Sequence, residues 1–165
     1  MKEIIDSPFS DGKAHLKSEK TTSVYRKEKF SYIRNYYVCD ETGLEFTEDE
    51  TDEATFSQIY GQYREKYGIP SPEQLTKWRK SYGLSSVMMS KLLGLGENQY
   101  GLYEKGEMPA LSIGRLLSMA GNKDFIEFCI EKSPLNSKGK MRALRTLGNR
   151  MFGNIYRLVN KSDSR

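Results

Sequence analysis

Residues 84–106, LSSVMMSKLLGLGENQYGLYEKG, decide the fold. Ser85 or Ser86 caps a helix whose Met89, Leu92 and Leu93 face inward with Leu84. Gly94-Leu95-Gly96 is a three-residue turn, and a second short helix, residues 97–105, buries Tyr100 and Tyr103 and stops at Gly106. Met108-Pro109 then opens a further helix with Leu111, Leu116, Leu117 and Ala120 inward, closed by Gly121-Asn122.

Upstream, Ser71 is a good N-cap, Pro72 sits at the first helical position, and Gln74 completes a capping box. Leu75, Trp78 and Tyr82 form the apolar stripe of that helix, and Gly83 is its left-handed stop. Gly68-Ile69-Pro70 breaks the chain before it and is the best domain boundary. Residues 55–67 have a helical period, with Phe56, Ile59, Tyr60, Tyr63 and Tyr67 on one face as packing surface.

Residues 14–47 read instead as a meander of about three or four strands. Val24-Tyr25 and residues 30–38 are aromatic and β-branched, and Arg26–Lys29 between them suits an exposed turn. Tyr32, Tyr36 and Val38 share one parity, which predicts a buried face there, although Ile33 and Tyr37 blur the alternation.

The chain has 165 residues, only 37% of them hydrophobic, and a mean hydropathy of −0.68. No apolar run approaches the roughly 20 residues of a membrane span, so no membrane is expected as partner. No secretory signal opens the sequence, and two cysteines far apart, Cys39 and Cys129, make no disulfide framework. A cytoplasmic location is expected. So small an apolar fraction favours two small modules over one large core.

Charge is divided. Residues 1–69 hold 10 Lys+Arg and 14 Asp+Glu, whereas residues 70–165 hold 16 and 8. The acids cluster in residues 40–53, which carry eight carboxylates and no base and read as a solvated loop. Their spacing fits no calcium loop. The bases peak in residues 138–165, and a basic half suits a polyanion.

One histidine, no glycine-rich phosphate loop and no nucleophile–base pairing leave no catalytic set, so the chain is not expected to be an enzyme. Two helices crossing through a tight glycine turn leave the second protruding, and such a helix fits the major groove with its first residues at base edges. Those residues are Glu97, Asn98, Gln99, Gly101 and Leu102. Asn98 and Gln99 suit adenine, Leu102 a thymine methyl, and Glu97 a cytosine amine or the helix cap. Ser85, Ser86 and Lys105 are placed for flanking phosphates.

Leu84-Ser85, Leu93-Gly94 and Tyr103-Glu104-Lys105-Gly106 resemble the signature of XRE/Cro-type helix-turn-helix regulators. With residues 60–106, the chain is similar to the MqsA-type antitoxins and their zinc-finger/helix-turn-helix relatives. The resemblance implies a homodimer on a palindromic double-stranded DNA operator, often repressing its own operon, and an N-terminal zinc ribbon that in toxin-paired members holds the toxin. Asn98 matches an asparagine that the family uses for base contact, while Leu102 stands where it has an arginine, so the operator does not carry over. The metal knuckles depart further. Ser7, Ser10 and Thr42 occupy three of the four ligand positions and only Cys39 keeps a thiol, whereas structural zinc takes sulfur and nitrogen. A ribbon shape without metal or other cofactor is therefore expected, with Gly12 and Gly43 kept as turn residues and His15 and Cys39 structural.

Beyond the resemblance, residues 123–133 read as a helix with Phe125, Ile126, Cys129 and Ile130 on its apolar side. Residues 138–160 place Met141, Leu144, Met151, Ile155 and Leu158 at helical spacing among basic residues, an amphipathic helix suited first to dimer packing. The expectation is an α+β chain: a zinc-ribbon-like sheet without metal (1–54), a linker helix (55–69), an all-α helix-turn-helix domain (70–122) and a basic helical extension (123–165). Its function would be a dimeric, autoregulatory, nucleoid-associated transcriptional regulator of the antitoxin type. The alternative is a protein-binding antitoxin or adaptor whose N-terminal domain neutralises a toxin while the helix-turn-helix mainly dimerises.

Overall fold

The computed structural model describes residues 1–133 and 135–148 and shows an α+β chain. It divides into two compact units, Met1–Lys66 and a second beginning at Tyr67. No helix among the described residues is long and apolar enough to cross a membrane.

In the first unit, four antiparallel strands pair in the order β1 (Ile4–Asp6), β2 (Lys13–Tyr25), β3 (Glu28–Cys39) and β4 (Glu45–Phe46). β2 and β3 form a long ribbon, in register from Ala14 opposite Cys39 to Tyr25 opposite Glu28. The turn is therefore narrower than expected: Arg26 and Lys27 alone make it, both at positive φ (48° and 70°), and Glu28 and Lys29 belong to β3. Such a two-residue turn matches the right-handed twist of the strands, though asparagine or glycine usually takes these positions. Here the Arg26 guanidinium lies over the Tyr25 and Tyr63 rings, 5.4 and 5.2 Å from their centroids.

The expected buried parity of β3 is corrected. Burial changes face along the strand: Phe30 is buried at one end, Tyr37 and Cys39 of the opposite parity at the other, and Tyr32, Tyr36 and Val38 are only half-buried. The ribbon is covered on one face near its tip by a helix and on the other face near its base by the N-terminal segment. That helix, α1 (Asp49–Tyr67), begins six residues before the expected 55. The end of the acidic run is thus its first turn, where Asp49, Glu50 and Asp52 meet the positive end of the helix dipole. Thr51 at N3 accepts from the Glu48 amide at 2.9 Å, a cap that the local pattern conceals. Ile59 and Tyr63 are buried on the aromatic stripe, and Tyr25 meets Tyr60 and Tyr63 at centroid distances of 5.0 and 5.3 Å. Phe56, expected inward, is 52% exposed and only stacks on Tyr60.

α1 also seals the outer edge of β3. The Gln58 amide acts as a strand partner: its Oε1 accepts from the Ile33 N–H (2.9 Å) and its Nε2 donates to the Ile33 carbonyl (3.0 Å). Gln62 Nε2 donates to the Ser31 carbonyl at 2.9 Å. Edge groups that would otherwise pair with another chain are occupied.

The second unit packs α2 (Pro72–Tyr82), α3 (Ser86–Leu92), α4 (Gln99–Glu104), α5 (Leu111–Met119), α6 (Lys123–Lys132) and α7, helical over residues 137–148. The start of α2 is as expected, with Ser71 and Gln74 closing a capping box, Pro72 in the first turn and Gly83 left-handed at φ 68°. Leu75, Met89, Tyr100, Leu117, Ile126 and Ile130 are fully buried. Trp78 is packed against them over Gly121, where an added Cβ would lie 2.8 Å from the indole. In α7, Ala143 and Leu147 face the core, whereas Met141, expected inward, is 55% exposed because it lies off the 143–147 stripe. Met151, Ile155 and Leu158 of the expected basic helix lie outside the described residues.

Candidate nucleic-acid interface

The segment from α3 to α4 is assembled from the inside. Ser85 is the N-cap of α3 and accepts from the Met88 amide at 3.1 Å. Leu92 and Leu93 end that helix in the core, and Gly94 turns the chain at φ 68°. The expected second helix is shorter than residues 97–105: α4 begins at Gln99, while Glu97 and Asn98 belong to the preceding turn. Asn98 is its N-cap without a side-chain cap bond, so nothing on the local side chains extends the helix backwards.

Three hydrogen bonds fix the inner face of α4. The Tyr100 amide donates to Ser90 Oγ at 2.9 Å, and the Tyr100 hydroxyl donates to the Leu75 carbonyl at 3.0 Å. Burial pushes the Tyr100 phenol well above its ordinary range, so it stays a donor. Arg79 Nε donates to Glu104 Oε1 at 2.7 Å, and Arg79 Nη1 reaches the Leu84 carbonyl at 3.2 Å. Ser90 and Arg79 escaped the sequence reading. Ser90 sits among apolar neighbours on α3, and Arg79 is 25 residues from its carboxylate.

With the inner face held, Asn98, Gly101, Leu102 and Lys105 stand at i, i+3, i+4 and i+7 on the outer face. Asn98, Leu102 and Lys105 are exposed, Leu102 by 41%. Ser86 lies beside this stripe, its Oγ 3.5 Å from where a Cβ on Gly101 would be, an ordinary van der Waals contact. The remaining expected contacts lie differently. Gln99 Nε2 donates to Glu107 Oε1 at 2.8 Å, which turns its amide away from the stripe. Glu97 is exposed, with Lys91 Nζ 3.6 Å from its carboxylate.

In the first unit, the four positions that the resemblance marks as metal ligands converge. Ser10 Oγ is 3.5 Å from Cys39 Sγ, and hydrogen bonds from Ser10, then Ser7 and Thr42, draw the Cys39 thiol down to about 6. Cys39 itself is 1% exposed. Gly43 turns the chain after Thr42 at φ 68°, whereas Gly12 is not left-handed and a Cβ there would meet only the side chain of the exposed Glu41. His15 lies on the opposite face of β2 from the Ala14–Cys39 pair, with Nδ1 2.7 Å from Asp40 Oδ1. Among the described residues no three His, Cys, Asp or Glu side chains gather as a metal-binding set. The donors present, one thiol and three hydroxyls, do not fit structural zinc.

No family model, no curated protein and no solved structure matches this chain.

Proposed function

We propose that this chain is a sequence-reading DNA-binding regulator of the antitoxin type, acting as a homodimer on a palindromic operator and on its own promoter. One observation carries the reading: α4 has its inner face tied to α2 and α3 while its outer stripe of Asn98, Gly101, Leu102 and Lys105 faces outward. A rigidly anchored helix with a narrow polar and aliphatic stripe suits the major groove. In this function Asn98 reads adenine, Leu102 packs on a thymine methyl, and Ser85, Ser86 and Lys105 hold phosphates. Gln99, held by Glu107, orients the helix rather than reading a base. The antitoxin type, the operator symmetry and the autoregulation rest on the sequence signature at residues 84–106.

A gel shift on DNA from upstream of the protein's own gene tests the proposal. Wild type is expected to shift it, and Asn98→Ala to lose about 1–3 kcal/mol of specific binding. Absence of any shifted upstream fragment at low salt overturns the reading. If deletion of residues 1–54 abolishes the phenotype while Asn98→Ala is silent, the chain is instead a protein-binding antitoxin.

A further inference from the structure

The acidic balance of the first unit hides a division that only the fold exposes. Residues 13–39, the β2–β3 ribbon, hold seven Lys and Arg against Glu19 and Glu28. Both carboxylates are neutralised, Glu19 by Arg34 at 3.0 Å and Glu28 by Lys66. Lys17, Lys20, Lys27 and Lys29 pair with no carboxylate among the described residues.

Register puts two of these lysines on one bare surface. Toward the tip, the pairs Lys20–Ile33, Thr22–Ser31 and Val24–Lys29 share a face, and all six residues are exposed. The opposite face carries Tyr25 and Phe30, which pack on α1 through Tyr63. The bare face thus presents two ammoniums, two hydroxyls and two β-branched aliphatics, with no carboxylate. Lys27 extends it at the turn.

We propose that this face and tip form a second nucleic-acid contact, gripping the phosphate backbone of duplex DNA. The identity of the polyanion rests on the DNA-binding function above; the surface itself does not. Lys20 and Lys29 stand four residue positions apart, about 13 Å along the ribbon. A duplex strand offers a phosphate about every 3.4 Å of its axis, so both lysines find partners without any base being read. A two-stranded ribbon also fits the major groove, which is about 12 Å wide. The hydroxyls of Thr22 and Ser31 add donors between the lysines.

The test uses the full chain and a labelled random-sequence duplex over a salt series. The triple variant Lys20→Gln/Lys27→Gln/Lys29→Gln is expected to make the slope of log affinity against log salt shallower by about 2 to 3, near 0.9 per lost phosphate contact. Lys17→Gln, a ribbon lysine on the other face, leaves the slope unchanged, and circular dichroism shows the same melting temperature for both. An unchanged slope in the triple variant overturns the proposal, as does an equal change in Lys17→Gln. Weakened binding of polyglutamate with unaltered duplex binding overturns it in favour of an acidic protein. Preference for the upstream DNA with an insensitive slope sinks the ribbon contact alone. A sensitive slope without any such preference sinks the regulator function alone.

Discussion

Arg79 and Glu104 join α2 to α4 through a 2.7 Å charge-assisted hydrogen bond, with side chains only 19% and 11% exposed. Arg79 also donates to the Leu84 carbonyl ahead of α3, so one guanidinium holds three segments. Arg79→Ala strands a mostly buried carboxylate and is expected to cost about 2–4 kcal/mol, less for Glu104→Gln, which keeps an acceptor. Urea unfolding of both variants and of the pair checks this, and a coupling near zero in the double-mutant cycle contradicts the geometry.

At Gly121 the constraint is steric. A methyl group there meets the indole of Trp78, so Gly121→Ala is expected to lower stability by about 1–3 kcal/mol and to shift the emission of Trp78, the only tryptophan. Unaltered fluorescence and melting would contradict the close packing.

The hydroxyls around Cys39 make stability depend on pH. The thiol falls from an ordinary value near 9 to about 6 in the folded chain. Below pH 6 the sulfur is protonated in both states and contributes nothing. Stability then rises between pH 6 and 9, where only the folded state has lost the proton, and levels off above pH 9. The difference in melting temperature between wild type and Cys39→Ala is therefore expected to grow across that interval, and a flat difference would refute it.

Lys105 follows the last turn of α4 without an ion pair among the described residues. Lys105→Ala is expected to weaken binding to every duplex alike and to flatten the salt slope by about 1. A loss confined to one sequence would assign it to base contact instead.

Local chemistry explains what was legible in the sequence. Ser71, Pro72, Gln74 and Gly83 define α2 within a dozen residues, and the buried spacing of Met89, Leu92, Leu93, Tyr100 and Tyr103 survives in the core. Boundaries without a strong local mark were lost: α4 starts at an asparagine with no cap bond, and α1 starts inside a run of acids. Long-range relationships were not visible at all. The change of buried face along β3 depends on which element covers each end, and the Gln58–Ile33 pairing spans 25 residues. At the candidate interface Asn98, Leu102 and Lys105 are exposed, Asn98 in the turn before α4 rather than on the helix, and Gln99 is diverted by a carboxylate eight residues on.

The glutamine plug on β3 bears on strand recruitment. β4 pairs with Tyr37 and Val38 on that margin, and Gln58 and Gln62 engage Ile33 and the Ser31 carbonyl, whereas β1 accompanies β2 along Lys13–His15 and the Leu16 amide donates to the Glu3 carbonyl at 2.9 Å. An added strand would therefore find fewer open backbone groups on the β3 side than an uncovered ribbon offers.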